Sequence, residues 1–277
     1  MRALVFSGGG TFCAYQAVVW QALEERGWWP DIVAGVSAGA LNALAVARGC
    51  PAARLQDWWL DPRADAVRWN WPPRGWGLFD RRLLEARVRD LERDLGPAAA
   101  GTARLLVTFA ELPSTRIRVV AGSEVTIAHL RASCAIPFLY GPVRVDLAGR
   151  RVWAVDGGVF ERLPLAAAIH AGATEIISVD VLAQASSHVL RAFLNGIGRL
   201  RQLLAPAACD HPPLPPGAHH LRLDPPHSLG ALLDTVRWDR AKVARWIEVG
   251  YREAAARLDR TSAAQPASPS KESAAPA

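Results

Sequence analysis

One hydroxyl in this sequence stands where chemistry could be done on it. Residues 32–41 read Ile-Val-Ala-Gly-Val-Ser-Ala-Gly-Ala-Leu, which places Ser37 between Gly35 and Gly39. A β-branched apolar run ends there and a helix-forming run begins at once, so the pattern predicts a strand, a very tight turn and a helix. Glycine fits both flanking positions, because a Cβ at either would collide where strand and helix cross. The turn lifts the serine oxygen to a helix N-terminus, among free backbone N–H groups and the positive end of the helix dipole. That is the setting of a nucleophile. The competing reading is a serine that merely caps the helix, a role for which Ser is favoured.

A serine hydroxyl is a weak nucleophile until a base takes its proton. The seven histidines give no obvious partner: His129 lies on a predicted helix, His170 ends one, and His211, His219, His220 and His227 fall in or beside a Pro-rich stretch. His188 has no supporting context. Asp156 is better placed, directly after the apolar run 152–155 and before Gly157 and Gly158. Active-site loops gather at strand ends of a parallel sheet, and a buried carboxylate can itself act as general base. The plainer alternative is an Asp-Gly turn. Gly8, Gly9 and Gly10 follow the first apolar run and precede a helical one. Successive N–H groups there form a nest for an anion, whether phosphate or a developing oxyanion. A dinucleotide fingerprint fails, since Cys13 stands in place of its third glycine and no acidic residue ends the second strand. No Gly-Lys-Ser/Thr is present for a P-loop.

These residues need a scaffold, and the chain opens with one in the order β-α-β-α: strands at 3–6 and 32–36, helices at 14–26 and 38–48. That alternation is the signature of a parallel sheet covered by helices. Further strands are expected at 104–109, 116–120, 143–147, 151–155, 175–181 and 221–223. Helices are expected at 81–95, 127–133, 165–170, 189–204 and 232–258. The fold class is α/β, with a mainly parallel central sheet and helices on both faces. Residues 1–260 form one domain, and 261–277, reduced to Ala, Ser, Pro and a few others, form a disordered tail. Trp58, Trp59, Trp69, Trp71 and Trp76 crowd the stretch 57–79, either as a lid or acyl-binding rim or as a plug in the core.

Composition narrows the function. Of 277 residues, 51% are apolar and 21% charged, enough for a proper core. The net charge of +6 favours anionic surfaces, phospholipid included, but the arginines are dispersed among acids and form no nucleic-acid stripe. Cys13, Cys50, Cys134 and Cys209 have neither disulfide-framework nor metal-ligand spacing and read as buried thiols of a reducing compartment. With no signal peptide and no apolar run of about 18 residues, a cytoplasmic chain is expected, its contact with membranes at most peripheral.

Taken together, Gly8–Cys13, Gly35–Gly39 and Asp156–Gly158, in that order, resemble the motifs of the patatin-like phospholipases. Gly77-Leu78-Phe79-Asp80 and Ser133-Cys134-Ala135-Ile136-Pro137 resemble that family as well, the likeness covering roughly residues 3–182. The resemblance implies a Ser–Asp dyad: Ser37 as nucleophile, Asp156 as base, and N–H groups of Gly8, Gly9 and Gly10 as the oxyanion hole. It implies hydrolysis of phospholipid or lysophospholipid acyl esters, with no metal or cofactor. Two positions depart from the family pattern, Phe12 standing where a cation is usual and Cys13 where glycine is. They motivate a rival reading, a lipid- or partner-binding module of weak or no activity. An acyltransferase using the same dyad is a second rival, and a His-dependent α/β-hydrolase a third.

Overall fold

The computed structural model describes residues 1–65, 67–71, 77–97, 102–184 and 212–264. Its strands are β1 (Arg2–Phe6), β2 (Ile32–Val36), β3 (Arg104–Leu112), β4 (Arg116–Ala121), β5 (Val143–Leu147), β6 (Arg150–Asp156), β7 (Glu175–Val179) and β8 (His219–Arg222). They form one sheet in the order β5-β6-β3-β2-β1-β7-β8, with β4 also paired to β3. From β8 through β3 every pairing is parallel; β4, β5 and β6 are antiparallel. The central strands read as continuous apolar runs because both their faces are covered.

The helices are α1 (Ala14–Glu24), α2 (Ala38–Ala47), α3 (Ala52–Leu60), α4 (Arg81–Leu95), α5 (Ile127–Ser133), α6 (Leu165–His170) and α7 (Arg240–Ala264). The pleat divides the sheet between them. Leu4, Phe6, Val33, Val107 and Val179 point into a large core shared with α1, α2, α3, α4 and α7. Their neighbours Ala3, Val5, Ile32, Ala34 and Leu106 face a smaller core capped by α6. Helices therefore cover both faces, as expected for the α/β class.

Several expectations shift in detail. Helix α3 was not expected from the sequence, and only its last turn, from Asp57, enters the tryptophan-rich stretch 57–79. The single helix expected over 232–258 is two elements, a 3₁₀ turn at Leu232–Thr235 and then α7. α7 continues through Ala264, beyond the expected domain end at 260. The predicted helix 189–204, His188, Cys209, His211, Trp76 and residues 265–277 lie outside the described residues.

Strand β3 acts as the ruler that sets the site. Its residues 106–108 pair with β2 and β4 together, and 109–111 pair with β4 and β6 together. Hence β2 and β6 share one edge of β3, end to end. Val36 is opposite Thr108 and Asp156 is opposite Phe109, so the last residues of two oppositely directed strands meet. Asp156 was expected to reach the site as a parallel strand would. It arrives head-on from an antiparallel one.

Candidate active site

Ser37 follows β2 with φ 57° and ψ −138°, a region that non-glycine residues seldom occupy. It stands at the N-cap of α2, yet its side chain makes no capping hydrogen bond. The capping reading is thereby answered: the hydroxyl is not spent on the helix. The strained turn persists because its surroundings leave no alternative. A Cβ on Gly35 would come within 2.7 Å of the Ala40 Cα, and one on Gly39 within 3.0 Å of the Phe6 carbonyl oxygen. The Ser37 N–H is held by Ser133 Oγ (2.8 Å), which in turn donates to the Thr108 carbonyl (2.8 Å). Ser133 sits at the end of α5, and the next turn binds the other partner, the Asp156 N–H donating to the Ala135 carbonyl (2.9 Å).

Asp156 is 2% exposed, and burial pushes its carboxyl up to about 7. The Gly158 N–H donates to Oδ1 (2.7 Å), and this contact and the neighbouring Ser37 hydroxyl pull the other way. Its proton affinity is therefore suited to taking and returning a proton near neutrality. Gly157 passes so close to β3 that a Cβ would lie 3.0 Å from the Phe109 Cα. Gly158 leaves room for the carboxylate itself, where a Cβ would lie 3.0 Å from Oδ1.

The glycine loop lies across from this pair, with the Gly8 position 3.0 Å from the Ser37 Cβ when a Cβ is built there. Of the three N–H groups expected to face an oxyanion, that of Gly8 is taken by the Arg162 carbonyl (3.0 Å). Gly9 and Gly10 line the cleft, and their N–H groups have no acceptor among the described residues. Beneath the loop runs a buried polar chain. Trp59 Nε1 donates to Asn42 Oδ1 (2.9 Å), Asn42 Nδ2 to Gln16 Oε1 (2.9 Å) and the Cys13 carbonyl (2.8 Å), and Gln16 Nε2 to the Ser7 carbonyl (2.9 Å). Sequence reasoning missed this chain, along with Ser133 as a support for the elbow. The helical spacing of Gln16 and Asn42 on buried faces was the available signal.

The two departures from the family pattern turn away from the chemistry. Phe12 packs edge-on against Trp246 of α7, ring centroids 5.1 Å apart. Cys13 is buried with Sγ 3.6 Å from the Ser7 carbonyl oxygen, and burial raises its thiol well above the usual range, so it stays neutral. Neither lines the cleft.

The cleft itself encloses about 450 Å³ and is apolar apart from Ser37, Asp156, Arg162, Thr235 and the glycine backbone. Arg162 is neutralised by Asp180 through hydrogen bonds of 2.9 and 2.7 Å. No histidine among the described residues lines it. His129 instead accepts the Thr126 N–H (3.1 Å) at the start of α5, and His220 pairs with Ser178 (2.8 Å). Among the described residues no group of three or more His, Cys, Asp or Glu is placed to hold a metal ion. The tryptophan-rich stretch divides: Trp59 is buried and Trp58 half-buried, whereas Trp69 and Trp71 are exposed, Trp69 at the cleft.

A sequence model of the family described as Patatin-like phospholipase matches residues 4–169. The uncharacterized protein YqhO of Bacillus subtilis (strain 168) is 28% identical over 187 residues, 58% of this chain and 64% of that one. A patatin-like phospholipase domain-containing protein of Chaetomium globosum is 29% identical over 168 residues, 51% of this chain and 18% of its own length. The matched stretches thus span less than two thirds of either relative. Among solved structures, VipD from Legionella pneumophila aligns with 94% of this chain and 67% of its own, at TM-score 0.47 and 15% identity. The type III effector protein ExoU aligns with 94% of this chain and 52% of its own, at TM-score 0.43 and 15% identity.

Proposed function

The chain belongs to the patatin-like phospholipase family, and from that premise we propose that it hydrolyses carboxylic esters of lipids through an acyl-enzyme on Ser37. The substrates are phospholipid or lysophospholipid acyl chains, met at a membrane surface. The observation that carries the reading is the head-on meeting of β2 and β6, which sets an uncapped serine hydroxyl beside a buried carboxyl of near-neutral proton affinity.

The steps follow from the groups present. Ser37 Oγ attacks the ester carbonyl carbon while Asp156 takes its proton. The negative charge on the former carbonyl oxygen is met by the N–H groups of Gly9 and Gly10. Collapse expels the alcohol, to which Asp156 returns the proton. Water then attacks the acyl-enzyme, Asp156 takes its proton, and a second collapse frees the acid and restores Ser37. The apolar cleft accommodates the acyl chain and lowers the local dielectric, which strengthens each of these electrostatic contacts.

A fluorophosphonate probe tests the reading directly. The wild-type chain is expected to label and Ser37→Ala is not. Equal behaviour of the two would sink the hydrolase reading and return the chain to the binding-module alternative. Capture of the acyl group by added lysolipid faster than by water would reassign it as an acyltransferase.

A further inference from the structure

Three separate segments carry large apolar side chains to the mouth of the catalytic cleft and leave them in water. Trp69 bridges to Phe79, and the Leu78 N–H donates to the Phe138 carbonyl (3.1 Å), so Trp69 and residues 78–79 are stitched to the turn after α5. The third segment is the 3₁₀ turn Leu232–Thr235. Trp69 is 73%, Phe138 87% and Leu233 73% exposed, and all three line the cleft. Trp71, two residues beyond Trp69, is 85% exposed and lies outside the cleft lining. Single exposed apolar residues are ordinary, but a contiguous rim around an opening marks an interaction surface. Phe138 adds a second observation: its φ of 68° is a conformation that a bulky residue enters at a cost, and here the ring gains no burial in return.

Charge selects the occupant. Exposed Arg237 and Arg240 follow the 3₁₀ turn, Arg68 before Trp69 is already paired with Asp65 (2.6 Å), and the whole chain carries a net +6. An anionic surface is attracted by that distribution, whereas a second copy of the chain, equally positive, is repelled. Tryptophan suits a boundary that is apolar on one side and wet on the other.

We propose that this rim is a lipid-docking face: Trp69, Trp71, Phe138 and Leu233 enter the headgroup–acyl boundary of an anionic bilayer. The cleft mouth is then seated on the membrane, and a substrate lipid passes to Ser37 without crossing bulk water. The proposal rests on the reading of the site as a lipid acyl hydrolase, but its test reads binding.

The test is flotation of the full chain, in a Ser37→Ala background, with vesicles of phosphatidylglycerol and phosphatidylcholine and with phosphatidylcholine alone. Partitioning is expected on the anionic vesicles, weakened roughly 10-fold or more by Trp71→Ser or Phe138→Asn, the latter chosen because Asn tolerates positive φ. In the active chain, Trp71→Ser should keep turnover of a soluble short-chain ester and lose turnover on vesicles. Absent partitioning, or partitioning that survives both substitutions, overturns the docking face. So does a dimer that Phe138→Asn dissolves in a chain that binds no vesicles. If the Ser37→Ala chain floats but the chain with Ser37 intact cleaves no ester, the hydrolase reading alone fails, which keeps the two proposals separable.

Discussion

At the scale of single residues, the tension lies in Asp156. A carboxylate buried to 2% exposure is costly to ionise, and ionisation is what a base requires. Its value of about 7 predicts that kcat/KM on a neutral soluble ester rises with pH through about 7 and then levels. A profile flat from pH 5 to 9 (roughly two units either side) would exclude Asp156 as the base. The same shift fixes a stability trend. Below about pH 4 the carboxyl is protonated in folded and unfolded chains alike, and its burial costs no charge. Between about 4 and about 7 the unfolded chain ionises first, so stability falls as pH rises; above about 7 the loss is complete. Asp156→Asn is therefore expected to abolish turnover while raising the unfolding free energy at pH 8 by up to about 2–4 kcal/mol, with little gain near pH 4. Denaturant titrations at the two pH values check it. A variant less stable than wild type at pH 8 would show the carboxylate to be structurally required.

At the scale of elements, the site is two strand ends held by one helix end. Ser133 receives the Ser37 N–H and donates to β3, so α5 fastens the elbow to the strand that sets its register. Ser133→Ala leaves a buried N–H and a buried carbonyl without their partner. The expected cost is about 1–3 kcal/mol of stability, with a fall in kcat larger than any change in KM as the elbow loosens. An unchanged kcat would show that the β2–α2 crossing alone fixes the serine. The crossing was legible in the sequence because its demand is local: Gly35 and Gly39 face neighbours only a few residues away or on the adjacent strand. The apolar runs of β1, β2 and β7 were legible for a similar reason, each being buried on both faces. What could not be read was pairing. Nothing in 150–156 says that β6 runs antiparallel to β3, or that it takes over the edge that β2 leaves at Thr108. The Gln16–Asn42–Trp59 chain was hidden likewise, since three polar residues far apart in sequence acquire meaning only when α1, α2 and α3 pack. The break at 236–239 was lost because apolar spacing continues across the 3₁₀ turn into α7.

At the scale of the whole molecule, the glycine loop is held from two sides. The polar chain from Trp59 supports it from within the core. From outside it meets the C-terminal part of the chain, beyond the residues 4–169 that carry the family match. Thr11 Oγ1 donates to the Asp234 carbonyl, Lys242 pairs with Asp234 (2.5 Å), and Gly10, at φ 58°, lies against the Thr235 backbone. α7 packs along α1 so tightly that a Cβ at Gly250 would come within 2.7 Å of the Tyr15 ring. Phe12 then has a reason to be aromatic. It meets Trp246 edge to face, and Trp246 is fixed by donating Nε1 to the Leu229 carbonyl (2.9 Å). The loop is thus packed against parts of the chain distant in sequence. Trp246→Ala is accordingly expected to cost about 3–5 kcal/mol of stability. A double-mutant cycle with Phe12→Ala should return a coupling of about 0.5–1.5 kcal/mol. If the C-terminal helix positions Gly9 and Gly10 as well as covering the core, kcat at a temperature where the variant stays folded falls while KM holds. A folded Trp246→Ala chain with wild-type kcat would leave α7 as cover alone and return the placement of Gly9 and Gly10 to the polar chain beneath them.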